Sequence, residues 1–190
     1  VRFLRHRGDA GGEVEVDRAT SVRRLFVYGL MLVTLTLGAV RATMVGRSLL
    51  TSGWSDEERT ALALGLAFML VAGPAYVFLL RFARGRLRDD VGERTSLAWA
   101  AYLNIALASS LIVSTVTVHD LLAGVFGVDD FEWRGIAPVI VWAAVWAMHW
   151  FWLRPTYGLP GDLHLAIGSL TGLVTMLIGL GGVAYVAGDE

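Results

Sequence analysis

Five long apolar segments, separated by polar connections that carry almost all of the arginine, constrain the fold of this chain more than any other feature. A helix of about 20 apolar residues crosses the roughly 30 Å hydrocarbon core of a bilayer, and each segment is close to that length. The segments lie at Leu25–Val45, Ala61–Leu80, Ser96–Val118, Ile136–Leu153 and Leu163–Ala187. We therefore expect an all-α integral membrane helical bundle with five transmembrane helices.

The composition favours a membrane bundle over a soluble one. The chain of 190 residues is 55% hydrophobic and only 17% charged, whereas soluble domains carry about 25% charged residues. A soluble bundle of these five helices is the alternative, but each helix would then have to be apolar on all sides. Cysteine is absent, which excludes disulfides and cysteine metal sites.

The arginine distribution predicts how the helices are oriented. Residues 1–24 and the connection after the second segment hold most of the arginine, and arginine near helix ends stays on the cytoplasmic side. Acidic residues offset the few arginines of the first and third connections. We therefore expect an inside N-terminus and, after five crossings, an outside C-terminus. Arginine used throughout in place of lysine suggests a GC-rich bacterial genome, and hence the bacterial cytoplasmic (inner) membrane.

Two parts of the chain resemble each other at a spacing of about 74 residues, which predicts an internal repeat. The matching positions are Thr20-Ser21 and Thr95-Ser96, Tyr28 and Tyr102, and Trp54 and Trp133. Each unit is a pair of membrane-crossing helices, and both units start inside, so we expect tandem parallel two-helix hairpin repeats. This type of repeat differs from the inverted repeats of many secondary transporters.

The repeat divides the chain into four regions. These are a cytoplasmic polar tail at 1–24, hairpin repeats at 25–83 and 95–154, and a fifth transmembrane helix at 163–187. The tail resembles the end of a preceding hairpin, because Arg2-Phe3-Leu4-Arg5 is similar to Arg81-Phe82-Ala83-Arg84. The fifth helix resembles the start of a further hairpin. We therefore expect a section of a longer array of hairpins; a complete five-helix protein is the alternative.

Two motifs resemble a known family. They are Ser21-Val22-Arg23-Arg24-Leu25-Phe26-Val27-Tyr28 before and within the first segment, and Trp146-Ala147-Met148-His149-Trp150-Phe151-Trp152-Leu153-Arg154 at the end of the fourth. They are similar to motifs of a bacterial membrane family catalogued only as a domain of unknown function, which has repeated two-helix units. The resemblance covers residues 20–154. The second segment departs from it, since it lacks the His-Trp pair, and the third lacks the double arginine. The resemblance implies a membrane fold and no known activity.

Two histidines lie near the predicted inner surface of the membrane, His149 late in the fourth segment and His164 early in the fifth. A pair of histidines facing each other across a bundle can hold a haem or a metal. No other histidine, cysteine or carboxylate stands near them at ligand spacing. We therefore interpret both as interfacial side chains and expect no cofactor and no metal, with haem or metal binding as the alternative.

Aromatic and amide side chains offer a second set of candidate residues. Trp142, Trp146 and Trp150 recur every four residues, so they share one face of a helix. They form either a wall for a quinone, a lipid tail or an apolar solute, or, as we favour, a packing and interface-anchoring surface. Asn104 in the third segment either bonds across a helix interface or lines a solute path.

The sequence contains no phosphate-binding glycine loop, nucleophile elbow or His-Glu-x-x-His motif, so we expect no enzyme. The arginine-rich connection at 84–94 is interrupted by acidic residues and predicts contact with anionic lipid headgroups, not nucleic acid. We expect a non-enzymatic membrane protein with a structural or interaction role, whose partners are lipids, other membrane subunits or further repeats. A small-solute transport or binding bundle is the first alternative, and a haem- or quinone-linked redox subunit the second.

Overall fold

Regular structure is helical throughout the part of the chain that the computed structural model describes, residues 2–51, 55–127, 130–153 and 168–176. The elements are α1 (Arg2–Leu49), α2 (Asp56–Asp89), α3 (Val91–Arg94), α4 (Leu97–Val125), a 3-10 turn (Trp133–Gly135), α5 (Ile136–Ala147) and a π-helical segment (Met148–Leu153). Residues 168–176 are also helical. The all-α prediction is confirmed for these residues.

Side-chain caps set the starts of α2 and α4. At α2, Ser55 Oγ accepts the Glu58 N–H at 3.2 Å, while the Glu58 carboxylate accepts the Ser55 N–H at 3.0 Å. At α4, Ser96 Oγ accepts the Trp99 N–H at 3.3 Å. Each cap satisfies a backbone donor that the first turn of a helix leaves unpaired, so both boundaries follow from local sequence.

In the described part of the chain, three helices are long and apolar enough to cross a membrane: Ala19–Leu49 within α1, Asp56–Asp89 and Leu97–Val125. Only 22%, 17% and 17% of their respective apolar stretches are buried. Large apolar side chains instead point outward, with Leu70 76% and Phe78 69% exposed. Such extensive apolar exposure is unusual in water and suits lipid, which argues against the soluble bundle.

The fourth and fifth predicted segments do not correspond to single described helices of spanning length. Segment Ile136–Leu153 divides into the 12-residue α5 and the six-residue π-helical segment. Of the predicted fifth helix, 163–187, only residues 168–176 are among those described. The tail at 1–24 is helical from Arg2 onward and continues directly into the first span. Five crossings and the four-region division therefore stay predictions.

Helix α1 lies at the centre of the bundle, where it packs against α2, α4 and α5. The interior is densest near the start of α4, where Trp99 and Leu103 have no exposed surface. Towards the other end, Gly46 lets α1 approach α5 closely, since a Cβ at Gly46 would lie 2.8 Å from the Ala137 Cβ.

The two predicted repeat units meet inside the bundle but begin differently. Tyr28 and Tyr102, which occupy matching positions, are both buried, and their ring centroids are 6.1 Å apart. Ser96 caps the start of α4, whereas the matching Ser21 lies in the middle of the continuous helix α1. The tandem repeat stays a prediction.

Candidate functional site

A buried carboxylate lies at the junction of α1 and α3. The Glu93 side chain accepts hydrogen bonds from Arg24 Nε at 2.8 Å, Arg23 Nη2 at 3.2 Å and the Tyr28 hydroxyl at 3.1 Å. Glu93 is only 4% exposed, and a carboxylate buried to that extent needs such partners to stay charged. The ion pairs therefore fasten the α2–α4 connection to the start of the first span.

A second set of buried polar groups links three helices in one hydrogen-bonded chain. The Tyr76 hydroxyl of α2 lies 2.9 Å from the Tyr102 hydroxyl of α4, which lies 2.9 Å from His149 Nε2. His149 Nδ1 lies 2.7 Å from the Val145 carbonyl. All three side chains are buried, so this series of hydrogen bonds connects α2, α4 and the π-helical segment in the interior.

The carbonyl at the end of this chain fixes the direction of every bond in it. A carbonyl only accepts, so Nδ1 of His149 carries the proton and donates to Val145. Nε2 of the neutral ring then accepts from the Tyr102 hydroxyl, which leaves Tyr102 oxygen to accept from Tyr76. Tyr76 therefore only donates within this series of hydrogen bonds, whereas Tyr102 and His149 each accept one bond and donate one.

Aromatic rings surround these groups. Trp99 stacks on Tyr102 with ring centroids 5.5 Å apart and an interplanar angle of 25°, and Tyr28 lies 5.5 Å from Trp99. Trp99 is completely buried. The polar core, by which we mean Tyr28, Tyr76, Glu93, Tyr102 and His149, therefore lies in an apolar setting where unpaired polar groups would be costly.

His149, which the sequence analysis interprets as an interfacial side chain, lies inside the bundle in the structure. Its side chain is fully buried, and both ring nitrogens already have partners. Ligation of an iron or another metal through Nε2 would therefore break the bond from Tyr102. His164 lies outside the described residues. In the part of the chain that is described, no group of three or more histidine or acidic side chains could hold a metal ion.

The other predicted residues do not form one uniform surface. Trp142 is buried, whereas Trp146 and Trp150 are half-buried and stack on each other, with centroids 5.7 Å apart and planes at 10°. The Asn104 amide donates to the Ala100 carbonyl of its own helix at 2.8 Å. These contacts place the tryptophans in packing positions and give Asn104 a bond within α4.

Sequence reasoning singled out only His149 of the polar core as a candidate site residue. Tyr28 and Tyr102 were interpreted as matching positions of a repeat. Glu93 counted only among the acidic residues of the arginine-rich connection, and Tyr76 received no role. A signal for Glu93 was present, because Arg23-Arg24 and Glu93 fall on the same predicted side of the membrane. No local pattern marks Tyr76 as a partner of Tyr102.

A cavity of about 360 Å³ opens at the other end of the bundle. We call it the charged cavity. Its lining residues are Arg47, Ser48, Thr51, Glu58, Thr117, Asp120, Leu121, Asp130, Glu132, Arg134, Gly135 and Pro138. One turn below Thr117, Ser114 Oγ is buried without a hydrogen-bond partner among the described residues.

The two polar ends lie about one bilayer apart. Arg24 contacts the polar core and Arg47 lines the charged cavity, and both lie on α1. Their separation of 23 residues corresponds to about 35 Å of helix, against roughly 30 Å for a hydrocarbon core. The apolar, outward-facing middle of the bundle therefore has the thickness of a membrane.

A family model described as Domain of unknown function (DUF5671) matches residues 5–131. This match covers about two thirds of the chain and includes nearly all of α1 and the whole of α2, α3 and α4. No curated protein and no solved structure matches significantly. The chain therefore belongs to this family, which confirms the expectation of a family of unknown function.

Proposed function

We propose that this member of the DUF5671 family is a non-enzymatic integral membrane protein with a structural or interaction role in a larger membrane protein or assembly. The observation that carries the proposal is the low burial of its spanning helices, at 22%, 17% and 17% of their apolar stretches. Helices with so much outward surface have faces for lipid and for other membrane helices. The polar core meanwhile joins α1, α2, α3, α4 and the π-helical segment at one end of the bundle through their own side chains.

Cross-linking between copies of the chain in lipid vesicles tests this proposal. The chain has no cysteine, so single cysteines report on single positions. Leu70→Cys and Phe78→Cys lie on the outward face of α2, whereas Leu80→Cys is the buried control. We expect disulfide-linked dimers at an outward position and none at position 80. If no outward position of α2 or α4 cross-links to another copy or to a membrane partner, the proposal is wrong and the chain lies alone in the lipid.

We further propose that the chain lies in the bacterial cytoplasmic membrane with the polar core inside and the charged cavity outside. The arginine-rich connections at the polar-core end support this orientation through the positive-inside rule. Cysteines at Ser55 and Asp130 should react with an impermeant reagent added to intact cells, and a cysteine at Arg88 should not. Labelling at position 88 with protection at 55 would invert the topology.

The tandem arrangement of hairpins 25–83 and 95–154 is part of the same proposal. It is supported by the meeting of Tyr28 and Tyr102, which occupy matching positions in the two units. An experimental structure of the full chain should superpose α1–α2 on α4–α5 by rotation about an axis near the membrane normal. Opposite handedness in the two helix pairs would contradict the repeat.

A small-solute binding or transport bundle is the second candidate function, and the charged cavity is the observation that favours it. A haem- or quinone-linked redox role has no comparable support, because His149 already uses both ring nitrogens. The purified protein should therefore show no Soret absorbance. A stoichiometric haem band that disappears in His149→Ala would bring the redox role to first place.

A further inference from the structure

The charged cavity combines side chains of both signs that do not pair with each other. Four carboxylates line it, from Glu58, Asp120, Asp130 and Glu132, together with the guanidinium groups of Arg47 and Arg134. Among the described residues, no salt bridge joins an arginine of the cavity to an acid of the cavity. Glu58 also caps α2 through Ser55, and Asp120 lies 3.5 Å from His119 Nδ1. Opposite charges around one space that do not pair with each other create complementary sites for a ligand that carries both signs.

The walls of this cavity are held by close backbone contacts. Arg47 and Pro138 directly follow Gly46 and Ala137, two residues at which α1 and α5 approach closely. The loop that carries Asp130 and Glu132 is held to α4 at Phe131, whose Cα would lie 2.9 Å from a Cβ at Gly124. A site on closely packed elements can keep its charged groups in place before a ligand arrives.

Charge and size restrict the ligand. The carboxylates outnumber the guanidinium groups by two, so the ligand needs a net positive charge. The two arginines nevertheless need an anionic partner, and a carboxylate meets a guanidinium with two parallel hydrogen bonds. A volume of about 360 Å³ lies near the small end of ligand sites, which run from about 300 to 1,000 Å³. The ligand is therefore a small molecule.

We propose that the charged cavity binds a small, net-positive zwitterion with two ammonium groups and one carboxylate, which is the chemistry of a basic amino acid. Arg47 and Arg134 hold the carboxylate, and the surrounding acids hold the ammonium groups. Ser48, Thr51 and Thr117 add hydroxyl groups to the same space. The inference rests on the second candidate function, solute binding, and names its substrate class.

Four matched probes test the charge requirement on the purified protein in lipid nanodiscs by titration calorimetry. L-Lysine has all three charged groups, cadaverine lacks the carboxylate, L-norleucine lacks the second ammonium group, and L-glutamate reverses the net charge. We expect lysine to bind best, with each of the others about tenfold weaker or more, since one charge-assisted contact is worth about one decade in affinity. Affinity for glutamate equal to that for lysine would overturn the inference.

Variants of the cavity residues distinguish contacts to the ligand carboxylate from contacts to its ammonium groups. Arg134→Gln should remove most of the preference for lysine over cadaverine, while Asp120→Asn should weaken lysine and cadaverine in parallel. Arg59→Gln and Glu57→Gln are the matched controls, because these exposed residues lie at the same end of the bundle outside the cavity lining. Equal effects of the cavity variants and the controls would overturn the assignment.

The outcomes separate this inference from the functions it accompanies. Binding of glutamate alone, lost in Arg134→Gln, overturns the ligand class and leaves a solute site in place. No binding of any of the four probes overturns the ligand class alone, and the solute-binding candidate is then tested with solutes of other charge and size. The structural or interaction role is decided separately by cross-linking of α2 and α4.

Discussion

The polar core and the charged cavity lie at opposite ends of the same helices and treat polar groups in opposite ways. Glu93 and His149 in the polar core are almost or completely buried, and each polar atom of their side chains has a partner. Glu132 and Arg134 in the cavity are exposed and form no salt bridge among the described residues. One end therefore buries its polar groups in bonds with each other, whereas the other leaves Glu132 and Arg134 exposed, where a ligand can reach them.

The connections explain part of this difference. At the polar-core end, α2 and α4 are joined by the four-residue helix α3, and Asp90 and Ser96 cap α3 and α4. The connection is short and rigid enough to aim Glu93 at Arg24. At the cavity end, the lining residues come from α1, α2, α4 and α5 and from the residues just after α1 and just before α5, and a space of about 360 Å³ lies between them.

The largest effect should come from removing the charge of Glu93. Glu93→Gln leaves two guanidinium groups facing a neutral amide, and breaking a buried ion pair costs about 3 kcal/mol. Arg23, with 37% of its side chain exposed, recovers part of its hydration, so the expected loss lies at or below that figure. The free energy of unfolding in mixed detergent micelles measures it.

The matched change in the cavity is Glu132→Gln, which removes an exposed carboxylate that has no salt bridge to any residue the structure describes. We expect a change within about 0.5 kcal/mol, as for other surface substitutions. Equal losses for the two variants would mean that the two ends do not differ in stability as the comparison requires.

Closer packing near the cavity gives the second effect. Gly46→Ala places a methyl group 2.8 Å from the Ala137 Cβ, which is fixed to the backbone of α5. The helices must then separate, and overpacking of this kind costs about 2 kcal/mol. Gly38→Ala is the control on the same helix, where nothing lies within 4 Å. A neutral result at position 46 would show that α1 and α5 move freely, against a preorganised cavity.

The sequence was sufficient for the features that depend on local patterns. Apolar segment length predicted the all-α fold and five spans, of which three correspond to described helices long enough to cross a membrane. The polar core depends on contacts between residues such as Tyr76 and Tyr102, which are 26 positions apart. Apolar periodicity carries no information about such pairs.

The π-helical segment shows a similar limit. Met148–Leu153 belongs to an apolar run that predicts an ordinary helix. A π-helical turn differs by one residue in its hydrogen-bond register, which composition does not determine. His149 lies in this segment and bonds to Val145 and Tyr102. Its burial therefore depends on tertiary structure, whereas the sequence indicated only an interfacial position.

A smaller loss of stability should follow from removing one hydroxyl from the series Tyr76, Tyr102 and His149. Tyr102→Phe removes the acceptor of Tyr76 and the donor to His149, so two buried groups lose a partner. We expect a loss of about 1–2 kcal/mol. Tyr76→Phe removes only the first donor and should cost about 0.6 kcal/mol, as membrane hydrogen bonds do on average. A larger loss for Tyr76→Phe than for Tyr102→Phe would mean that Tyr76 stabilises the bundle mainly through contacts outside these hydrogen bonds.

The smallest effect marks the boundary between the two ends. Ser114 Oγ, one turn below the cavity residue Thr117, is buried without a partner among the described residues. Ser110 Oγ, one turn deeper, donates to the Ala106 carbonyl at 2.7 Å. Ser114→Ala removes an unsatisfied group, so stability should stay constant or rise by up to about 1 kcal/mol. Ser110→Ala should instead cost about 0.5 kcal/mol, because it removes a bond.

A loss at position 114 larger than that at 110 would mean that water from the cavity reaches and bonds Ser114. The hydrated end of the molecule would then extend at least one turn further into the bundle.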